Sequence, residues 1–464
     1  MTLEAPLQRS DDAKRTRLRT PTSTPASTPA QQGRAPSRPP NGAAASVAPL
    51  ITAMLGGKLT IRFDFWDGSS LGPADPVGVI IVRSADALRR LIWSPNELGV
   101  SRAFVAGDLE VEGDIYAVLT AVRDVSQSNV KMSASDKLAA VAAARRIGAI
   151  GRPLPPPPEE ARPAGWRRHT KRRDAEVIGH HYDVGNDFYR IVLGPSMTYS
   201  CARFSEPGMD LASAQASKLE SICRKLGLHE RAEQRLLDVG CGWGSMAMHA
   251  ARHHSARVVG VTISKAQAEA ARKRVDEAGL ADRVEIRLQD YRDLRGETFD
   301  AISSVGMSEH VGSERIDEYF GVLRSVLRPY GRLLNHAISS VNGSKMSKRG
   351  FIYRYVFPDG ELLDVGTTVL AMERAGFEVR DLESLREHYA LTLRCWVANL
   401  EAEWDRAVEL AGEARARIWR LYMAGSAVGF EDGGLNVHQV LGVVPDETGT
   451  TAMPLTRDGW TTRT

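Results

Sequence analysis

Apolar and polar positions change their spacing several times along this chain, and each change marks an element. The segment "KLTIRFDFWDG" alternates between the two classes and predicts a strand, as does "VGVIIVRS". "ADALRRLIW" instead has helical spacing, with Ser84 in position to cap it. Mixed helix and turn continue to residue 125. The pattern predicts a small N-terminal α+β domain over 48–125.

From Asp174 onward, strand-like and helix-like segments alternate. "RLLDVG", "ARVVGVTIS", "RVEIRLQD", "FDAISSVG" and "GRLLNHAIS" are apolar runs typical of buried strands, and amphipathic segments separate them. Ser264 and Gly279 bound one of these helices as its caps. Such alternation predicts an α/β domain over 174–445, built on a parallel doubly wound sheet. Sheets of this class bind ligands beyond the carboxyl ends of their strands.

The segments outside these two domains contain few core-forming residues. Residues 1–47 are rich in Pro, Ser, Thr, Ala and Arg, which predicts a disordered tail. Residues 126–173 combine a helical segment, "KLAAVAAARRIGAI", with the Pro-rich "GRPLPPPPEEARPAG" and the basic "WRRHTKRRD", and are expected to form a linker. A flexible C-terminal tail is expected over 446–464.

The overall charge and the cysteine content exclude some kinds of partner and site but do not identify a function. The net charge is only +3, so bulk charge indicates no partner. The four cysteines show neither a CxxC pair nor metal-ligand spacing, which favours a reducing compartment and no metal. Without an apolar run of transmembrane length or a signal-peptide core, a cytoplasmic location is expected. The basic stretch at 166–173 is either a solvated linker or a contact for an anionic surface, lipid or nucleic acid.

A glycine-rich turn stands between the first strand and the first helix of the second domain. "LLDVGCGWGS" places Gly240, Gly242 and Gly244 there, where a backbone without Cβ atoms can approach a ligand closely. Nucleotide-binding sheets in general share this turn, and a tight turn without a ligand is the alternative. The ends of the next two strands add polar candidates: Thr262, Gln267, Gln289, Asp290 and Tyr291. Asp290 could accept a hydrogen bond from an adenine amino group, and Tyr291 could stack on the ring.

Several motifs occur together in one order. Together they resemble the cyclopropane-fatty-acyl-phospholipid synthase family over about 48–445. The resemblance is carried by "GHHYDVGNDFYRIVLGPSMTYSCARF" (179–204), "LDVGCGWG", "GVTIS", "LQDYRDL", "VGMSEHVG" and "LREHYALTLRCW" (385–396). The resemblance implies a class I methyltransferase, Rossmann-like sheet with S-adenosylmethionine as methyl donor. It implies cofactor contacts from Tyr182, Thr198, Tyr199, Ser200, Asp238, Gly240, Gly242, Gly244, Thr262, Gln267, Gln289, Asp290 and Tyr291.

The chemistry of that family sets further requirements. Its members add the methyl carbon of S-adenosylmethionine to a cis double bond of an acyl chain, which leaves a carbocation. The cation needs a site without nucleophilic water and a base that removes one proton. Proton loss with ring closure gives a cyclopropane, and proton loss without it gives a methylene branch.

In the family a bicarbonate ion serves as that base. The resemblance implies that Cys201, Glu309, His336, Ile338 and Tyr389 hold the ion in this chain. Glu309 follows the fourth strand and His336 lies within the fifth, so their side chains can converge at the mouth of the sheet. Because two adjacent anions repel, we expect a protonated Glu309 that donates to bicarbonate. Each of these residues also has an ordinary alternative role. Glu309 could be a solvated carboxylate, His336 a core histidine, Tyr389 a packing residue and Cys201 a buried hydrophobic residue. His310 is expected to be structural or exposed.

One position departs from the family pattern. Many members carry a cysteine in the stretch that matches "YMAGSAVGFEDG" (422–433), where this chain has Ser426. The substitution leaves the choice between cyclopropane and methylene products open.

The insert "SSVNGSKMSKRGFIYRYVFPDGELL" (339–363) combines basic and aromatic residues. It is either a wall of an acyl channel with a basic rim for phosphate, or an excursion with its own small core. We expect a phospholipid with an unsaturated acyl chain as substrate, and peripheral, salt-sensitive contact with the anionic inner face of the cell membrane. A homo-oligomer or a partner reductase remains open, and no nucleic acid is expected. The alternatives are a methyltransferase for a small molecule or RNA, and a non-catalytic lipid-binding module.

Overall fold

The computed structural model describes residues 42–54, 59–127, 134–161, 171, 174 and 184–460. Most of the expected N-terminal tail lies outside these residues. Helix α1 (Gly42–Met54) nevertheless begins before the expected domain start at residue 48, and its Ala43, Ala44 and Val47 are buried. Ordered structure therefore starts earlier than the composition indicates, because small apolar residues in an Ala-rich stretch can still pack.

The N-terminal α+β domain is built as the pattern predicts. Its sheet has the order β2–β1–β3–β4, with β1 and β3 parallel and the other pairs antiparallel. The Ser84 side chain caps α2 by accepting from the Asp86 N–H. After α1, the elements are β1 (Arg62–Phe65), β2 (Ser70–Leu71), β3 (Gly78–Val82), α2 (Ala85–Trp93), α3 (Glu97–Val105), β4 (Leu109–Gly113), α4 (Ile115–Gln127) and α5 (Ala134–Arg146).

The second domain contains all five predicted strands and further elements. Its elements are α6 (Asn186–Leu193), α7 (Leu211–Lys225), β5 (Arg235–Val239), α8 (Ser245–His254), β6 (Arg257–Thr262), α9 (Lys265–Glu277), β7 (Val284–Leu288), β8 (Phe299–Val305), α10 (Ser308–Val311), α11 (Ile316–Ser325), β9 (Leu327–Ser340), α12 (Val365–Arg374), β10 (Glu378–Ser384), α13 (Arg386–Ala402), α14 (Trp404–Ala411), α15 (Glu413–Glu431) and β11 (Leu435–Val443). A 3₁₀ turn spans Tyr291–Asp293 and a π-helical turn spans Ile352–Val356.

These strands form one seven-stranded sheet with the order β10–β11–β9–β8–β5–β6–β7. Strands β5 to β9 are parallel, which confirms the doubly wound sheet, while β11 runs antiparallel between β9 and β10. Strand order reverses between β5 and β8, and ligands of such sheets bind at this switch point.

Apolar side chains bury both faces of the sheet. Successive β5 residues enter different cores, Leu236 one and Leu237 the other, as strand geometry requires. A third apolar cluster joins α6, α13 and α15 around Phe188, Trp396 and Trp419, and it also contains Leu98 and Ile115 of the N-terminal domain. The N-terminal domain therefore packs against helices of the second domain.

Residues 151–161 contain neither helix nor strand, as the Pro-rich composition predicts. They are nevertheless anchored, since Arg89 Nε donates to the Arg152 carbonyl at 2.8 Å and a buried Glu160 pairs with Arg102. Of the basic stretch 166–173 only Lys171 lies within the described residues, with its Nζ 2.6 Å from Asp293 Oδ1.

The expected flexible tail also needs correction. Up to residue 460 this segment packs on the domain: Trp460 is buried in the sheet core, and the Tyr330 hydroxyl donates to Asp446 at 2.7 Å. The segment around Trp460 contains only scattered apolar residues, Met453 and Leu455 among them, which give no periodic signal, so the sequence pattern missed this contact.

Candidate active site

A cavity of about 460 Å³ opens at the carboxyl ends of β5, β6, β7 and β8. The glycine turn after β5 lines it, together with polar residues that follow the neighbouring strands. Side chains from α13, α15 and the π-helical turn add apolar lining to the same cavity. One enclosed space can therefore take both a polar and an apolar group.

The glycine turn is shaped by positive backbone angles. Gly240, Gly242 and Gly244 have φ values of 73°, 54° and 80°, which residues with a Cβ rarely adopt. A Cβ on Gly240 would also lie 2.3 Å from the Sδ atom of Met307, whereas one on Gly242 would meet nothing within 4 Å. Gly240 and Gly242 line the cavity, but Gly244 does not; it lies at the N-cap of α8, close to Ala271.

Most other residues expected to bind the cofactor line the same cavity: Thr198, Tyr199, Ser200, Asp238, Thr262, Gln267, Gln289, Asp290 and Tyr291. Thr262 Oγ1 donates to Gln267 Oε1 at 3.1 Å. The Asp290 carboxylate pairs with Arg292 at 2.7 Å, and the Arg292 guanidinium lies 5.4 Å from the centre of the Tyr291 ring. Tyr182 lies outside the described residues. Strand ends, the segment before α7 and the start of α9 thus bring these residues to one cavity, with Arg292 as an additional member.

Beside Asp238, which the resemblance implies as a cofactor contact, the cavity lining contains a buried lysine that no sequence motif indicated, Lys218. Asp238 Oδ1 accepts from the Ser303 hydroxyl at 2.6 Å, while its buried Oδ2 has no hydrogen-bond partner among the described residues. Lys218 on α7 donates to Ser200 Oγ at 2.9 Å. Burial raises the pKa of Asp238 to about 6 and lowers that of Lys218 to about 8. The available signal was a lysine at a core position of an amphipathic helix, one turn after Gln215.

Glu309 lies on α10, directly after β8. Its Oε1 atom accepts from the Ile338 backbone N–H at 2.7 Å. Although the residue as a whole is partly exposed, its Oε2 atom is enclosed and has no partner among the described residues. Burial of the carboxyl raises its pKa to about 7. The side chain is therefore a buried acid with one oxygen committed and one available, and it is not a solvated loop carboxylate.

His336 on β9 is a buried neighbour of the same region, since it pairs with Val305 in the sheet. Its Nδ1 atom lies 3.3 Å from Gln439 Nε2, and Nε2 has no partner among the described residues. Burial lowers its pKa to about 3, so the ring is neutral at physiological pH. His310, beside Glu309, lines the cavity and packs edge-on against Phe357.

The five residues implied as bicarbonate holders do not all reach the cavity surface. Glu309, Ile338 and Tyr389 line it, whereas Cys201 and His336 are buried outside its lining. The Cys201 thiol lies 3.1 Å from the Ala202 carbonyl, and burial raises its pKa far above the usual range. Its environment is that of a small apolar core residue.

The apolar lining comes from segments that are distant in the chain. Its members are Ile352, Phe357, Leu393, Tyr422, Phe430 and Leu435, and Ser426 lies among them. The Tyr422 and Tyr199 hydroxyls are 3.2 Å apart. Within the insert, Ile352 and Phe357 line the cavity while Phe351 and Tyr355 are buried in the helical core. Two cations, Arg315 and Lys345, also line the cavity.

Two general features concern the described part of the chain. The four cysteines are free thiols. Among the residues described, no helix is both long enough and apolar enough to cross a bilayer.

Comparison with known proteins agrees with this architecture. Residues 169–440 match the family model for mycolic acid cyclopropane synthetase. A probable fatty acid methyltransferase of Mycobacterium tuberculosis is 43% identical over 427 residues, which cover 90% of this chain and 98% of the relative. The cyclopropane-fatty-acyl-phospholipid synthase of Escherichia coli K12 is 38% identical over 59% of this chain and 69% of that protein.

Solved structures give the same result. The cyclopropane synthase MmaA2 from Mycobacterium tuberculosis superimposes with a TM-score of 0.55 at 32% identity, covering 58% of this chain and 98% of that one. The mycolic acid cyclopropane synthase CmaA1, solved with SAH and CTAB, has the same TM-score and identity and covers 97% of its own chain. The chain therefore belongs to the mycolic acid cyclopropane synthetase family and is an S-adenosylmethionine-dependent methyltransferase of class I fold.

Proposed function

We propose that this enzyme transfers the methyl carbon of S-adenosylmethionine to the cis double bond of an unsaturated phospholipid acyl chain. The product is a cyclopropane or a methylene-branched chain, formed through a carbocation on the acyl chain. The observation that carries the proposal is that a single cavity is lined by the glycine turn, by aromatic side chains and by Glu309. A small-molecule or RNA acceptor would not need the extensive apolar lining.

The residues present fit S-adenosylmethionine. Gly242 leaves the backbone open to the cavity, and Asp238 offers an enclosed carboxylate oxygen without a partner among the described residues. When bound, the cofactor supplies an electrophilic methyl group on a sulfonium. Thr198, Tyr199 and Ser200 close the polar part of the cavity, and Lys218 orients Ser200.

Aromatic rings would stabilise the cation that forms on the acyl chain. Tyr389, Tyr422 and Phe430 all line the cavity, and the Tyr389 and Phe430 rings lie 4.7 Å apart between centroids. The face of an aromatic ring attracts a cation by about 0.5–2 kcal/mol, most strongly where water is excluded. The same side chains exclude water that would otherwise trap the cation as an alcohol.

Glu309 and His336 suit the removal of a proton by a small bound base. A pKa of about 7 leaves the Glu309 carboxyl about half protonated near neutrality, and the lowered pKa of His336 leaves a neutral imidazole. Each has one buried polar atom without a partner among the described residues. Bicarbonate, bound there, would supply the base. A protonated Glu309 can donate to it, which avoids the repulsion between two anions.

The lipid would approach from an anionic membrane surface. Arg315 and Lys345 are cations in the cavity lining; Lys345 is exposed and can meet a phosphate group, while Arg315 is partly exposed and pairs with Glu318 at 2.8 Å. We propose peripheral, salt-sensitive association with the inner face of the cell membrane. Homo-oligomer formation and a partner reductase fit this scheme but are not required by it.

The test is incubation with S-adenosylmethionine and vesicles of a mono-unsaturated phospholipid, followed by mass spectrometry and proton NMR of the released fatty acids. A gain of one CH₂ is expected, and the NMR spectrum distinguishes ring protons from vinylidene protons. Vesicles of saturated lipid serve as the control. Intact cofactor binding with no mass gain on the unsaturated lipid would overturn the assignment of the acceptor.

A further inference from the structure

A second cluster of reactive side chains lies away from the cavity, between α7 and α8. Cys223 comes from α7, and His249 and His254 come from α8. The Cys223 Sγ atom and one ring nitrogen of each histidine all lie within 4.8 Å of one another. None of the three lines the cavity. The cysteine spacing could not reveal this group, because its members come from two helices.

A fourth side chain lies against the two histidines of this group. Glu220, one turn before Cys223, places its Oε2 atom 3.2 Å from Nε2 of His249 and 2.8 Å from Nε2 of His254. Its other oxygen, Oε1, accepts from Arg224 Nε at 2.7 Å, so Oε2 faces the histidines alone. Cys223 is fully buried, and the side chains of His249 and His254 are 12% and 6% exposed.

We propose that Glu220, Cys223, His249 and His254 bind a Zn²⁺ ion. The inference does not depend on the proposed function. One thiolate, one carboxylate and two imidazoles are ligands that zinc accepts, and four protein ligands make a closed structural site. The charges also balance, since the thiolate and the carboxylate together neutralise the ion. As the Zn–S bond forms, the thiol proton passes to solvent.

Binding requires only a small rearrangement. Zinc–ligand distances of about 2.0–2.3 Å place tetrahedral ligand atoms roughly 3.4 Å apart. The ligand atoms of Cys223, His249 and His254, which lie within 4.8 Å of one another, would therefore draw together by about 1 Å around the ion. Glu220 Oε2 would turn from its histidine contacts to the metal. Arg224 opposes a cation here, but its charge is directed at the outer oxygen of Glu220. Without zinc, the same residues would form a hydrogen-bonded network only.

The consequence would be a fixed junction beside the cofactor turn. Helix α8 starts at Ser245, directly after Gly244, and α7 carries Lys218. A metal that joins the two helices would hold both elements in register without touching a reacting atom. The site would thus stabilise the fold, and its test has to measure metal and stability in addition to turnover.

The full-length chain without an affinity tag is purified from zinc-supplemented cells, and its zinc is measured by inductively coupled plasma mass spectrometry. About one zinc per chain is expected after gel filtration. Replacement of zinc by Co²⁺ should give a thiolate-to-cobalt charge-transfer band. Cys223→Ser should abolish this band, and His254→Gln should lower the zinc content at least tenfold. His253→Gln is the matched control: this exposed ring lies 4.5 Å from that of His249 but outside the cluster.

A chelator should lower the midpoint of thermal unfolding of the wild-type chain by several degrees and leave that of His254→Gln unchanged. Zinc well below one per chain, together with no chelator effect on the wild type, would overturn the proposal. A cobalt spectrum that Cys223→Ser does not change would do the same. If Cys223→Ser does not fold, the zinc contents of His254→Gln and His253→Gln test the proposal, and equal values in the two variants would overturn it.

Discussion

The Oε1 atom of Glu309 accepts a 2.7 Å hydrogen bond from the backbone N–H of Ile338, and this contact ties the turn after β8 to strand β9. It fixes the carboxyl in an enclosed position with Oε2 unpartnered among the described residues. Burial therefore destabilises the ionised form of this carboxyl, and the side chain lines the cavity. Stability and activity should both depend on this one group.

Glu309→Gln should remove a pH-dependent penalty on stability. Burial raises the pKa of Glu309 from 4.5 to about 7, so the folded chain keeps this proton where the unfolded chain has lost it. The contribution of Glu309 to stability therefore falls as pH rises from about 4.5 to 7, by about 3 kcal/mol in full. Urea unfolding should show that the free energy of unfolding of Glu309→Gln, relative to that of the wild type, is higher at pH 8 than at pH 5. Glu314→Gln, an exposed control, should show no gain; equal gains would contradict the burial of the Glu309 charge.

The same variant should lower turnover at least tenfold while leaving the affinity for S-adenosylhomocysteine unchanged. Glutamine keeps the acceptor for the Ile338 N–H, but it can neither give up nor take a proton, and general acid–base groups typically contribute 10²–10⁴-fold. Rates of methyl transfer to mono-unsaturated lipid vesicles, with calorimetric titration of the product cofactor, separate the two effects. Full turnover in Glu309→Gln would remove Glu309 from the proposed proton transfer.

Contiguous motifs allowed much of this site to be predicted from sequence. The glycine turn, Thr262, Gln267 and Asp290 stand at strand ends, and a parallel sheet brings consecutive strand ends to one edge. Glu309 and His336 were expected to converge for the same reason; β8 and β9 are indeed neighbours, but Glu309 lines the cavity and His336 does not.

Residues brought in by helix packing could not be predicted in this way. Tyr422 and Phe430 reach the cavity from α15, which follows β8 by more than a hundred positions, and no local pattern distinguishes them from core residues. Lys218 was missed because a lysine on a helix is usually solvent-exposed. Cys201 and His336 carry family motifs, yet the cavity lining excludes both.

Gly240→Ala and Gly242→Ala should have different effects on stability and on cofactor binding. Both residues have positive φ, which costs an alanine about 1–2 kcal/mol. At Gly240 the new methyl group would also meet Met307 at 2.3 Å, so a further loss of about 1–3 kcal/mol is expected from overpacking. At Gly242 the methyl group would occupy open space where the cofactor is expected. Gly242→Ala should therefore weaken S-adenosylhomocysteine binding at least tenfold with the smaller loss of stability. Equal destabilisation of the two variants in urea would contradict the role of Met307.

Tyr422 allows a test of aromatic stabilisation of the cation. Its ring packs edge-on against Phe357 and Trp419, and its hydroxyl contacts Tyr199. Tyr422→Leu should lower kcat about tenfold, as expected for the loss of a cation–π interaction worth about 1–2 kcal/mol. Tyr422→Phe keeps the ring and should stay within about threefold of wild type. Measuring kcat at saturating lipid distinguishes the two variants. Equal kcat values would show that the ring does not act on the cation.

Glu160 should couple the linker to the cavity wall. Its fully buried carboxylate lies 2.6 Å from Arg102 Nε and 2.5 Å from an Arg354 nitrogen, and it accepts from the Tyr355 hydroxyl at 3.0 Å. Removing one member of a buried ion pair leaves uncompensated charge and costs about 3–5 kcal/mol. Glu160→Ala should therefore lower the thermal midpoint by several degrees.

Arg354 and Tyr355 belong to the π-helical turn whose Ile352 lines the cavity, so Glu160→Ala should also raise the KM for lipid more than that for S-adenosylmethionine. Glu112→Ala, which changes an exposed carboxylate of the N-terminal domain, is the matched control and should change neither quantity. A loss of stability with both KM values unchanged would restrict Glu160 to holding the domains together. A selective rise in the lipid KM would show that the linker positions the wall against which the acyl chain binds.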